Sequence, residues 1–182
     1  MSLSTKSRVI GLLVVAMVLL VDQSSKQWAL TALGKSGSTV ALPGPIDITL
    51  VFNYSNAFGL APVSGELTRW GLTVLNIAVA LILARVSVRR TTAQLSTVGF
   101  AFIIAGAIGN ALDRIRFGAV IDLFNASKLG FIWIFNVADV SIDIGIAFLL
   151  IATFLLHQGS DRLSATAGSG HSPPARSSGR CR

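Results

Sequence analysis

Charge is scarce in this chain. Only 13% of its 182 residues are Asp, Glu, Lys or Arg, while 52% are hydrophobic. Soluble domains carry roughly 25% charged residues, so a soluble globular class is excluded and a membrane protein is expected. The length suits one compact domain. Cysteine is nearly absent. Cys181 stands alone in a polar tail, which rules out an internal disulfide, and no neighbouring base would activate its thiol. Histidine is almost as rare: His157 and His171 lie at or beyond the end of the last apolar run, and there is no H-E-x-x-H. A Ser/His hydrolase or a His-ligated zinc site at the opposite surface would therefore lack its imidazole. Acid is scarcer than base, eight residues against fifteen, for a net charge of +7. The bases scatter around the apolar runs and form no stripe, which fits membrane orientation and argues against a nucleic-acid partner.

What is abundant is long apolar sequence. Lys6 and Arg8 precede an apolar run over residues 9–21, which looks like the start of a signal peptide. No small-x-small cleavage site follows, so residues 8–30 are read as a first spanning helix. Further spans are expected over residues 67–84, 95–115 and 137–156. The fold class predicted is an all-α integral membrane protein with four transmembrane helices and a small extracytoplasmic loop containing β-structure. Residues 1–158 would form the membrane domain. Residues 159–182, rich in Ser, Gly, Pro and Arg, would be a disordered basic cytoplasmic tail. In the loop over residues 34–66, residues 46–52 alternate as a strand does. Asn53, Tyr54 and their neighbours mix amides with aromatics, either a pocket border or an ordinary turn.

Orientation follows from the bases. Lys6, Arg8, Arg85, Arg89, Arg90 and the tail arginines fall on one side of a four-span plan, which the positive-inside rule makes cytoplasmic. Both termini are then inside, and the loops over residues 34–66 and 116–136 are outside. Arg114, Arg116 and Lys128 oppose the rule but stand near acids that can pair with them.

Four of the eight acids, Asp113, Asp122, Asp139 and Asp143, lie within residues 106–143, among otherwise apolar runs. Charge in such a place is expensive and is usually kept for function. On the four-span plan Asp122 and Asp139 can meet near the outer boundary. Asn110 and Arg114 share a helix face there, as do Asn136 and Asp139. Asp22 lies roughly 21 Å along the first helix from Arg8, at a similar depth, and can pair with Lys26 one turn on. That pair is either a structural ion pair or part of a substrate site. Two close carboxylates in a poorly solvated site share a proton. The ionised member can take a proton from water while the protonated one polarises a carbonyl, with neither a metal nor another cofactor. The competing view is that these aspartates cap helices and pair with Arg114 and Arg116, with Asp113 bound locally to Arg116 or facing headgroups.

These residues also look like a known family. Val21-Asp22-Gln23-Ser24-Ser25-Lys26 is similar to the first-helix D-Q-x-x-K of the lipoprotein signal peptidases (signal peptidase II). Gly109-Asn110-Ala111-Leu112-Asp113-Arg114 resembles their G-N-x-x-D-R. Gly118-Ala119-Val120-Ile121-Asp122-Leu123 resembles G-x-V-x-D-F, with Leu123 for Phe, and Phe135-Asn136-Val137-Ala138-Asp139 matches F-N-x-A-D. The resemblance covers about residues 8–156. It implies an intramembrane aspartic endopeptidase of the bacterial cytoplasmic (inner) membrane, working at the outer face. Its substrates would be prolipoproteins, cut before a cysteine bearing diacylglycerol, with membrane lipid as its surroundings. The catalytic aspartates carry over to Asp122 and Asp139. Asp22, Lys26, Asn53, Asn110, Arg114 and Asn136 fall at positions that shape the site or hold substrate. The family's N-x-G-x-[AS]-F has Ser55 in place of Gly, which a tight turn resists. Asp143, one turn below Asp139, would raise that residue's pKa or serve a polar group on another helix.

Two other readings compete. A proton-coupled transporter would use Asp22, Asp122, Asp139 and Asp143 as a relay, but a relay needs acids along the whole bilayer depth, and these gather in the outer half. A membrane scaffold would need neither Asp122 nor Asp139.

Overall fold

The computed structural model describes residues 3–54, 65–89 and 94–168. In chain order the elements are α1 (Leu3–Leu33), β1 (Thr39–Val40), β2 (Asp47–Asn53), α2 (Glu66–Arg89) and α3 (Gln94–Phe117). Then come β3 (Val120–Asn125), a 3-10 turn (Ser127–Leu129), β4 (Ile134–Phe135) and α4 (Val137–Gly168). Among the described residues four helical segments are long and apolar enough to cross a bilayer: Thr5–Leu33, Glu66–Val88, Gln94–Phe117 and Val137–Leu155. The 24 residues of α3 rise about 36 Å, against a hydrocarbon core of ~30 Å. Helices suit this setting because they satisfy their own backbone polar groups where no water is available.

The bundle is apolar on the outside. Leu12, Leu13, Met17 and Leu20 on α1, Leu81 and Ile82 on α2, and Leu150 and Phe154 on α4 are all exposed, as lipid-facing side chains are. The interior belongs to α3, which packs against each of the other three helices. Small residues allow this. A Cβ on Gly106 would run into the Ala138 carbonyl oxygen, and one on Gly145 would lie 2.6 Å from the Gly99 carbonyl oxygen. The α3–α4 backbones thus approach as closely as small-residue seams in membranes permit.

The β-structure is larger than the single strand that alternation over residues 46–52 suggests. Four antiparallel strands form one sheet in the order β1-β2-β3-β4. β3 lies in the segment read as the 116–136 loop. It pairs with β2 across a shift in register, setting Val51 opposite Asp122 and Asn53 opposite Val120. Leu50, Ile121 and Leu123 cluster with Ala29 of α1, and Leu30, Leu33 and Phe117 pack around them. The sheet is thereby seated on the ends of α1 and α3. Gly118 ends α3 at φ 78°, the left-handed conformation that glycine adopts without penalty, and its N–H bonds the Arg114 carbonyl at 3.1 Å. Arg69 of α2 caps the same helix end, donating to the carbonyls of Arg114 and Ile115 at 2.8 and 3.0 Å.

One boundary differs from expectation. α4 continues to Gly168, past residue 159, where the tail was expected to begin. Ser55 and the neighbours after Tyr54 that were read as a pocket border or an ordinary turn lie outside the described residues, as does Cys181. Asp143 is exposed on α4. Lys128 does find a carboxylate, Asp47, at 2.6 Å, and that hydrogen bond holds the Asp47 carboxyl below its ordinary range.

Candidate active site

Side chains from β2, β3, α1, α3 and α4 converge where the sheet meets the helix ends. Asp122 on β3 is 2% exposed. Asn136 Nδ2 donates to its Oδ1 at 2.6 Å and Asn53 Nδ2 to its Oδ2 at 2.9 Å. The second contact follows from the strand register: Asn53 is the diagonal neighbour of Asp122 across the β2–β3 pair. Burial, and after it the charge of Asp139, push the Asp122 carboxyl up to about 7, against the two amide bonds and Lys26, which act downward.

Asp139 enters through helix-capping chemistry. Asn136 precedes α4, and its Oδ1 accepts the Asp139 N–H at 3.0 Å, while Asp139 Oδ2 accepts the Asn136 N–H at 3.4 Å. This reciprocal arrangement is a capping box, here with Asn and Asp in its two positions. Its position in the first turn places the carboxylate at the positive end of the helix dipole. Asn110 of α3 donates Nδ2 to Asp139 Oδ1 at 2.8 Å. Asn136 therefore touches both carboxylates, and Asn110 accepts from Asn136 at 3.4 Å.

Behind the pair sits a buried ionic cluster. Lys26, 2% exposed, lies 2.9 Å from Asp22 and 2.7 Å from Asp113, both fully buried. Gln23 Nε2 donates to both carboxylates at 3.0 Å. Asp22 fits because α3 has Gly109 there: a Cβ would meet Asp22 Oδ2 at 2.7 Å. The Asp22–Lys26 pair is as the helical spacing suggests. Asp113 is not. It was expected beside Arg116 or the headgroups, but it is fully buried and turns inward to Lys26, while Arg116 donates to Gln23 Oε1 at 3.1 Å. Nor do Asp122 and Asp139 pair with Arg114 and Arg116. Arg114 is buried and donates to the Asn110 carbonyl at 3.4 Å. Among the described residues no carboxylate lies at ion-pair distance from it.

Asp22, Lys26, Asn53, Asn110, Arg114, Asp122, Asn136 and Asp139 are thus gathered in one region. Sequence reasoning missed Asp113 and Gln23 as members. The available signal for Asp113 was its place one turn after Asn110 on the same face of α3.

Several known proteins are similar to this chain. The sequence model of the family described as Signal peptidase (SPase) II matches residues 14–155. A lipoprotein signal peptidase of Caulobacter vibrioides is 42% identical over 153 residues, 83% of this chain and 90% of that protein. One from Rhodopseudomonas palustris is 37% identical over 148 residues, 78% of this chain and 89% of that protein. A bacterial membrane enzyme solved by the in meso method at 2.3 Å resolution has 28% identity and a TM-score of 0.71, covering 84% of this chain and 90% of its own. None of these matches supports the transporter alternative. The chain belongs to the signal peptidase II family: it is a multi-pass membrane protease of the aspartic type that removes signal peptides from prolipoproteins.

Proposed function

We propose that Asp122 and Asp139 are the catalytic pair and that the bond they cut precedes a cysteine bearing diacylglycerol. The observation that carries this is Asn136, bonded to both carboxylates at the junction of β3 and α4. Asp122 holds the shared proton, because burial favours its neutral form. Asp139 carries the charge, because it accepts N–H donors on both oxygens at a helix N-terminus. Water attacks the scissile carbonyl carbon and gives a proton to Asp139, while Asp122 gives its proton to the carbonyl oxygen. The tetrahedral intermediate then collapses: the C–N bond breaks, Asp139 passes its proton to the leaving nitrogen, and Asp122 recovers one from the hydroxyl. Asn53, Asn110 and Asn136 hold the two carboxylates in place. Arg114, with donors left over, faces the peptide backbone of the substrate. Asp22 and Lys26 shape the site from behind.

The remaining placement rests on charge. The membrane is the bacterial inner membrane, both termini are cytoplasmic on the positive-inside rule, and the dyad lies toward the outer face. Residues 1–158 work as the peptidase unit, followed by a basic cytoplasmic tail. A lipid-bearing substrate enters sideways between helices, with its acyl chains remaining in the bilayer. The test compares purified protein on one prolipoprotein with and without its diacylglyceryl group. Cleavage before the modified cysteine, with the unmodified form cut at least about 100-fold more slowly, is the expected result. Equal rates on both would remove the lipid from the recognition scheme.

A further inference from the structure

Beside the dyad, two buried carboxylates that the chemistry leaves unused each hold one backbone N–H. Asp113 Oδ2 accepts from Ile121 N at 3.2 Å, and Asp22 Oδ1 accepts from Ala138 N at 2.9 Å. Ile121 immediately precedes Asp122, and Ala138 immediately precedes Asp139. Lys26 Nζ joins the two carboxylates, 2.7 Å from Asp113 and 2.9 Å from Asp22. A continuous bridge thus runs from β3 to α4: Ile121 N–H, Asp113, Lys26, Asp22, Ala138 N–H. Lys26 also lies 3.4 Å from Asn110 Oδ1, which keeps the Asn110 amide turned so that its Nδ2 meets Asp139.

We infer that Lys26 is a positioning residue, and that the Asp22–Lys26–Asp113 bridge sets the distance between the Asp122 and Asp139 carboxylates. This rests on those two being the catalytic pair. The physical need is plain. Two carboxylates close enough to share a proton repel each other whenever both ionise. They stand on separate elements, a strand and a helix end, joined by a turn whose Leu129, Phe131, Ile132 and Trp133 are exposed. The sheet fixes Asp122 and the bundle fixes α4, so a tie between the two is what holds their spacing. Gln23 Nε2 also bridges the two carboxylates, but a neutral amide leaves their mutual repulsion uncompensated; lysine brings a compact point charge that three acceptors can share. The backbone N–H groups transmit the position of the bridge directly to the residues beside the dyad.

The test is the charge-matched double variant Lys26→Met with Asp113→Asn. One positive and one negative group leave together, so the net charge of the cluster is unchanged while the ionic tie is lost and only the neutral Gln23 contacts remain. Asn can still accept the Ile121 N–H. We measure kcat and KM on a lipid-modified prolipoprotein. We also measure affinity for a peptide analogue carrying a secondary hydroxyl in place of the scissile carbonyl, since that hydroxyl must bond both carboxylates. Folding is followed by gel filtration and thermal unfolding in detergent. The expected result is a folded protein with kcat lowered about 10- to 100-fold, analogue affinity weakened in parallel, and KM within about threefold of the parent. A folded variant with parental kcat and analogue affinity overturns the inference. So does a loss of activity that the loss of folded protein fully accounts for. Should the double variant not fold, Asp22→Asn and Asp113→Asn are judged singly by the same criteria. Asp122→Asn and Asp139→Asn belong in the same series. If they cut, the catalytic-pair reading fails and takes this inference with it. If they are inactive and the Lys26 series is parental, only the positioning role fails.

Discussion

Asn136 bonds both carboxylates of the site, its side-chain amide on Asp122 and its backbone N–H on Asp139, while its Oδ1 caps the Asp139 N–H. Asn136→Ala keeps the backbone bond but removes the cap and the amide, leaving Asp122 with one amide donor, so kcat should fall about 10- to 100-fold. Asn53→Ala removes one contact to Asp122 and should cost less. Steady-state cleavage assays on the folded variants decide the order. The proton on Asp122 gives a second prediction at this scale. Its carboxyl is pushed up to about 7, so on the proposed mechanism the singly protonated pair is the working form below that pH. As pH rises through about 7 the shared proton leaves, and kcat should fall about tenfold per unit on the alkaline side. A kcat profile that stays flat to pH 9 would contradict a shared proton at this site.

At the scale of elements, the α3–α4 seam depends on glycine. A Cβ on Gly145 would stand 2.6 Å from the Gly99 carbonyl oxygen and 2.5 Å from Ile103 Cγ1, so Gly145→Ala forces two backbones apart. The expected cost is about 1–3 kcal/mol, read as a lowered unfolding midpoint in detergent. The same substitution at Gly71, with nothing within 4 Å of its Cβ, should leave that midpoint unchanged. The helices were legible in the sequence because lipid imposes a crude requirement: long apolar runs with charges at their ends. β3 was not. Its Val120, Ile121 and Leu123 are buried together with Asp122, so the strand shows no polar–apolar alternation, and its partner β2 lies far upstream. The partnership of Asp113 with Lys26 was hidden for a similar reason. It joins α1 to α3, and no spacing rule within one helix reports a contact between two. Asp22 with Lys26, four apart on α1, was readable by such a rule.

For the molecule as a whole, an exterior of leucine, methionine and phenylalanine surrounds a small charged interior at one end. Topology alone brought the two loops that carry Asp122 and Asn53 to the same side. The motifs that resemble the signal peptidases then indicated which polar residues belong together. What neither could supply was the wiring: the amide bonds to each carboxylate and the ionic bridge behind them depend on side-chain packing across five elements. Cleavage of a diacylglyceryl-modified prolipoprotein by the purified parent, Asp122→Asn and Asp139→Asn, with folding of all three checked by thermal unfolding, decides whether the two aspartates carry the chemistry. The parent should cut before the lipidated cysteine, and the two folded variants should be slowed at least about 100-fold. Folded variants that cut at the parental rate would make both aspartates structural and contradict the mechanism.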